Sequence, residues 1–167
     1  MVEKTSVAEK ELESRLLALH NASLELVREI GIKSLLERIV EMAQEQAGAG
    51  YAALGVIGPN GELEQFITRG MPPEEIARMK HPPRGLGLIG ALMHSMQPIR
   101  IPNIQKDPRR VGFPENHPDM RAFLGVPIRQ GERQLGQLYL TNKQNGQEFS
   151  EQDQIVIEML ASYAAVA

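Results

Sequence analysis

The sequence predicts an α+β domain: a central antiparallel sheet of five to six strands with flanking helices, and further helices at the two ends of the chain. Three observations carry this. Two pairs of β-rich runs are each split by a short turn, as hairpins are: "YAALGVI" with "ELEQFITRG" around "GPNG", and "RAFLGVPIRQ" with "LGQLYLTNK" around "GERQ". Amphipathic helical patterns precede the first pair and follow the second. With 167 residues, 42% of them hydrophobic and 23% charged, the chain can fill one packed core.

Taken in order, residues 1–31 form a connector helix with its clearest pattern over about residues 5–31. Leu12, Leu16, Leu19, Ser23, Leu26 and Ile30 step by four and three alternately, the a/d spacing of a coiled coil. Leu17, Leu24 and Val27 add a second stripe and widen the apolar face, which suits either packing on its own domain alone or burial against the domain on one side and a partner helix on the other. Gly31 breaks it. Residues 32–167 are then the main domain, opening with a helix, "KSLLERIVEMAQEQAG", that ends at "AGAG", where glycine tolerates a left-handed cap. The first hairpin follows. "PPEEIARM" starts a short helix on its prolines, "LGLIGALMHSM" is helical in pattern, and "QPIRIPNI" is a short strand closed by prolines.

From Gln105 to Met120 the chain is proline-rich and without period, a long loop with a helical turn. Long loops in compact domains tend to be functional. After the second hairpin, "SEQDQIVIEMLASYAAVA" is a helix capped by Ser150 with acidic residues in its first turn. It has no stop signal at Ala167, and the pattern predicts that it continues beyond the chain.

Composition removes several chemistries. With no cysteine there is no disulfide, thiolate metal site, iron–sulfur cluster, thioether-attached haem or bilin, or thiol nucleophile. A net charge of −3 and no basic run longer than two residues argue against nucleic acid as a partner. No apolar run is long enough for a membrane span, and no leader is apparent, which predicts a cytoplasmic protein. No tryptophan, four phenylalanines and eight methionines predict a largely aliphatic pocket, suited to a flat apolar ligand.

The run "FLGVPI", followed by "LGQLYLTNK" and "FSEQD", resembles the C-terminal half of a GAF domain, and the resemblance extends over roughly residues 33–165. It implies a sensory domain set between helical connectors in a signalling protein. Within that family, "VGFPENHPDMRAFLGVPI" and "LYLTNKQNGQEF" are most similar to haem-binding GAF domains of dormancy-type oxygen-sensing histidine kinases. That similarity implies haem b, with His117 as the proximal iron ligand and Tyr139 on the distal side near a bound diatomic gas. It also implies a histidine kinase domain downstream; the paired heptad stripe adds the expectation of a homodimer through the terminal helices. The pocket walls expected for this reading are Leu88, Ile89 and Leu92 from "GLGLIGALM", "QPIRI", and Met120, Phe123 and Leu124 from the segment before and into "RAFLGVPI".

Elementary chemistry is compatible with it. One neutral imidazole leaves the opposite iron face open to O₂, NO or CO. Pro118 keeps His117 out of helix and stiffens its loop. Along "GQLYLTN" the period of two puts Leu138 and Leu140 on one face and Gln137, Tyr139 and Thr141 on the other. The plainer roles are a turn-capping His117 and a core Tyr139. His20, His81 and His94 read as surface or structural positions, and no metal-ligand spacing occurs.

Two further motifs point elsewhere. "GLGLIG" satisfies G-x-G-x-x-G but lacks the preceding strand of a dinucleotide fold; its glycines still leave backbone N–H groups free for an anion. Asn142, Lys143, Phe149 and Asp153 resemble the N-K-x-F-x₃-D-E signature of cyclic-nucleotide GAF domains, with Gln154 in place of the last acid. Lys143 and Asp153 read first as a structural pair. The alternatives to haem are therefore a haem-free module serving dimerisation, or one binding a small anion or cyclic nucleotide. Signatures of catalysis are missing from the chain: no G-x-S-x-G, no P-loop, no framed carboxylate pair.

Overall fold

The computed structural model describes residues 2–26, 31–78, 87–109 and 119–167. Helix α1 spans Val2–Leu26 and α2 spans Ile32–Ala47. Strands β1 (Ala49–Ile57) and β2 (Leu63–Arg69) form the first hairpin, followed by the short helix α3 (Pro73–Arg78). Helix α4 (Gly87–His94) leads into β3 (Ile99–Ile101) and a 3₁₀ turn at Ile104–Lys106. The second hairpin is β4 (Phe123–Gln130) with β5 (Arg133–Lys143), and α5 (Glu151–Val166) closes the fold. The five strands lie in the order β2-β1-β5-β4-β3, every neighbouring pair antiparallel.

The α+β class, the five-strand sheet and both hairpins are as the sequence predicts. α2 ends where glycine was expected to end it: Gly48 caps it at φ 59°, ψ 43°, and its N–H reaches the carbonyls of Gln44 and Glu45. The α1 stripe is half settled. Leu19 is buried while Leu12 and Leu16 are partly buried, and Leu17, from the second stripe, stays 62% exposed. The side chains of Ser23, Leu24, Leu26, Val27 and Ile30 lie outside those described, as does His81; His20 is exposed.

Strand alternation divides the interior in two. On one face, Ala52, Leu54, Leu124, Val126, Leu138 and Leu140 meet α2 and α5, with Leu36, Ile39, Val40, Val156, Ile157 and Leu160 completing the larger core. On the other, Phe123 and Tyr139 meet Leu88 and Leu92 of α4, together with Ile101 and Ile104. This second, smaller cluster holds the candidate site.

Candidate ligand-binding site

The site is built on three consecutive inward positions of β5. Gln137, Tyr139 and Thr141 share one face because strand side chains alternate, and they are 0%, 5% and 5% exposed. Facing them in register are Gly55, Ala53 and Tyr51 of β1, and Pro127, Gly125 and Phe123 of β4. Phe66 pairs with Gly55. Its ring centroid lies 6.3 Å from that of Tyr139, and Phe123 lies 6.4 Å away on the other side, both tilted.

This face is polar at its centre, and the polarity is unanswered. Both amide atoms of Gln137, the Tyr139 hydroxyl and the Thr141 hydroxyl are buried without a hydrogen-bond partner. So is Oε2 of Glu75, on α3. Folded proteins satisfy most buried polar atoms, so four such atoms on three successive positions of one strand face is an uncommon concentration. Burial pushes the Tyr139 phenol far above its ordinary value of 10.0, so it stays a protonated donor. Tyr51 is also raised, by burial first and then by the nearby Glu75 carboxylate.

The sequence-predicted residues fall unevenly on this site. Tyr139, Phe123, Leu88 and Leu92 come together in one cluster, with Met120 packed against it. Leu124 does not. It follows Phe123 directly in β4, so it points to the opposite face and packs in the larger core. His117 lies outside the described residues, as does the side chain of Ile89. Ile101, from the expected "QPIRI" wall, joins the cluster with Ile99 packed against it; sequence reasoning missed Gln137, Thr141 and Phe66 as site residues, along with Ile104. A usable signal existed for Gln137: an uncharged polar residue on the same strand face as Tyr139.

At the end of β5 lies a second constellation, which joins the site to both terminal helices. Asp153, with a side chain 1% exposed, accepts from Lys143 Nζ at 2.8 Å and from Arg15 at 2.7 Å. The Ser150 backbone N–H donates to the same carboxylate at 2.8 Å. Lys143 also donates to the Ala47 carbonyl, and Arg15 to that of Gln46. The structural pairing of Lys143 with Asp153 is as expected; Arg15 is its unforeseen third member. Next to it, Asn142 adopts φ 58° and clamps the returning loop, accepting from Arg121 N–H and donating to the Asp119 carbonyl. Among the described residues no group of three His, Asp or Glu side chains could hold a metal ion, and no helix is long and apolar enough to cross a membrane.

Comparison with known proteins identifies the family. The family model for the GAF domain matches residues 29–167. The chain belongs to the GAF family. Members of that family are commonly sensory domains of signalling proteins. Among solved structures, this GAF domain is similar to that of a phosphoenolpyruvate-protein phosphotransferase from Coxiella burnetii: TM-score 0.79, 23% identity, 93% of this chain and 92% of that one covered. It is also similar to a free methionine-R-sulfoxide reductase from Neisseria meningitidis solved with its substrate: TM-score 0.69, 16% identity, 89% and 84% covered. The GAF domain of a putative sensor histidine kinase from Pseudomonas syringae pv. tomato matches at TM-score 0.64 and 15% identity, over 99% and 90%. At these identities the likeness is one of fold.

Proposed function

We propose that this GAF domain is the sensory, non-catalytic module of a bacterial signal-transduction protein, and that its signal is a small molecule bound on the α4 side of the sheet. The observation that carries the reading is the row of unpartnered polar atoms on Gln137, Tyr139 and Thr141. A buried polar atom without a partner costs roughly 1–3 kcal/mol. A ligand that supplies the missing partners accounts for keeping them. The reductase among the structural relatives is named for a substrate, which supports a small-molecule site in this fold. With no cysteine, the present chain has no thiol with which to reduce a sulfoxide. Kinase output would reside in an attached domain. Leu17, exposed on α1, supports pairing of two copies through the terminal helices.

The test is direct. Protein purified natively is denatured and the released small molecules are identified by mass spectrometry; in parallel, a metabolite extract is added and the melting temperature followed. A compound retained in stoichiometric amount, or an upward shift, is the expected result. Neither appearing counts against the reading.

Haem b remains the more specific proposal, and one observation favours it: Tyr139 presents a buried, protonated and unpartnered hydroxyl, the donor a bound gas would need. Haem would supply an iron with one open coordination position, and His117 would hold it. The packing of the described residues opposes it. Leu92 lies so close to the sheet that a Cβ on Gly125 would stand 2.7 Å from its methyl. Leu88, Leu92, Phe123 and Tyr139 are each at most 5% exposed, which is contact with protein and not with a porphyrin-sized gap. Haem therefore does not fit unless α4 lifts. An absorption spectrum after hemin reconstitution decides: a Soret band lost in His117→Ala supports haem, and no band removes it.

A further inference from the structure

Resting on the small-molecule reading above, we propose the ligand's class: a small, planar, uncharged heterocycle with a lactam edge, held over Gly55 by the Gln137 amide and the Tyr139 hydroxyl. Both side chains border that glycine, Tyr139 through its hydroxyl and Gln137 through the methylene that carries its amide. A Cβ on Gly55 would stand 3.6 Å from the Tyr139 hydroxyl oxygen and 3.7 Å from Gln137 Cγ. Neither group has a partner, and Gln137 is fully buried.

The chemistry of the amide selects the ligand. Gln137 offers an N–H donor beside a C=O acceptor, so its complement carries C=O beside N–H, and two parallel hydrogen bonds form. A carboxylate would answer the N–H and oppose the carbonyl; an ammonium would do the reverse. The two groups are neutral, so a charged ligand would lose its water against partners unable to compensate it. Glu75 stands near Tyr51, four residues and roughly 13 Å along β1 from Gly55. The rings of Phe66 and Tyr139 border the same floor, which suits a flat ring.

Entry to this floor is through Leu63. Its Cδ2 lies only 2.5 Å from where a Gly55 Cβ would be, so its methyl occupies the space directly above the floor. Leu63 is only partly buried and begins β2, where the register with β1 is irregular. The proposed ligand requires this side chain to swing toward solvent and uncover Gly55. A single ring needs that displacement, whereas a porphyrin needs a helix to move.

The experiment follows melting temperature against concentration of uracil, its N,N-dimethyl derivative, uridine and uridine monophosphate, on the wild-type domain and on Gln137→Leu. Uracil or uridine is expected to stabilise the wild type, with the dimethyl compound at least about 100-fold weaker, because a site built for a hydrogen bond strongly rejects an analogue lacking it. Gln137→Leu is expected to melt no lower than wild type and to lose the response. A response to uridine that the phosphate weakens places the free base or nucleoside as the source; a response confined to the monophosphate overturns the uncharged class. No response to any lactam, or an equal response to the dimethyl compound, overturns the proposal, as does a response kept by Gln137→Leu. The methylation comparison uses unaltered protein and holds whether or not the variant folds. If the lactams fail while a metabolite extract still stabilises the domain, the class is wrong and the ligand-binding reading stands.

Discussion

The Asp153 carboxylate, closed in by Arg15, Lys143 and the Ser150 N–H, shows how partners decide a sign. Burial pushes its pKa up, but the hydrogen bonds from Arg15, Lys143 and Ser150 outweigh this, and the net shift is below the ordinary 3.8. The native state therefore binds the proton less readily than the unfolded chain. Stability from this group is present above about pH 4 and is lost as pH falls below it. Asp153→Asn should remove about 3 kcal/mol at neutral pH, since it leaves two cations facing a neutral amide. Urea titrations at pH 7 and pH 3 check this: the difference between the two proteins should shrink at the lower pH. Tyr139 makes the opposite case. Its hydroxyl is buried and unpartnered, so Tyr139→Phe should be neutral or stabilising by up to about 1 kcal/mol. Its raised pKa means that the unfolded chain ionises first, so stability falls as pH rises beyond 10, and the phenylalanine variant should lose that part of the fall. Legibility at this scale followed one rule. Period-two alternation put Gln137, Tyr139 and Thr141 on a common face from sequence alone. The same rule applied to β4 separates Phe123 from Leu124, which pattern reading by segment had merged. Whether the amide of Gln137 would find a partner could not be read, because that depends on neighbours distant in sequence, Gly55 and Leu63 among them.

Among the elements, those with a local cause were legible and those with a tertiary cause were not. Both hairpins announce themselves through turn residues and β-rich runs. The start of α5 does so through Ser150, whose hydroxyl accepts from the Asp153 N–H at 3.1 Å while Asp153 answers the Ser150 N–H, a complete capping box. Ser150→Ala should cost about 1 kcal/mol, seen as a lower urea midpoint with unchanged slope. A loss well beyond that would mean that the cap also positions Asp153 for Arg15 and Lys143. The 3₁₀ turn at Ile104–Lys106 was foreseen only as a helical turn somewhere in a loop. Its location has a non-local origin: Ile104 is drawn into the α4-side cluster, and its N–H donates to the Arg121 carbonyl at the start of the second hairpin. Arg15 was illegible for the same reason. In sequence it is one charged residue on a helix, and its two partners, on α2 and α5, are supplied by the fold.

For the molecule as a whole, the consequence is that one strand serves two ends. β5 carries the candidate site on its middle residues, and Lys143 at its close reaches Asp153 of α5, which in turn holds Arg15 of α1. A ligand that repositions β5 acts on the same ion cluster that fixes both terminal helices. That is the physical requirement for coupling: one element whose two arrangements both the site and the helices bias. α1 is the weaker attachment, because its described apolar burial is confined to Leu19 with Leu12, Leu16 and Ala22 partly covered. Arg15→Met keeps the apolar stem and removes the charge. It should raise amide hydrogen exchange in α1 roughly tenfold, equivalent to about 1.4 kcal/mol of local opening, while β1, β4 and β5 exchange as before. Exchange rising equally in the sheet would make α1 part of the cooperative core, and a signal could not then move that helix without unfolding the domain.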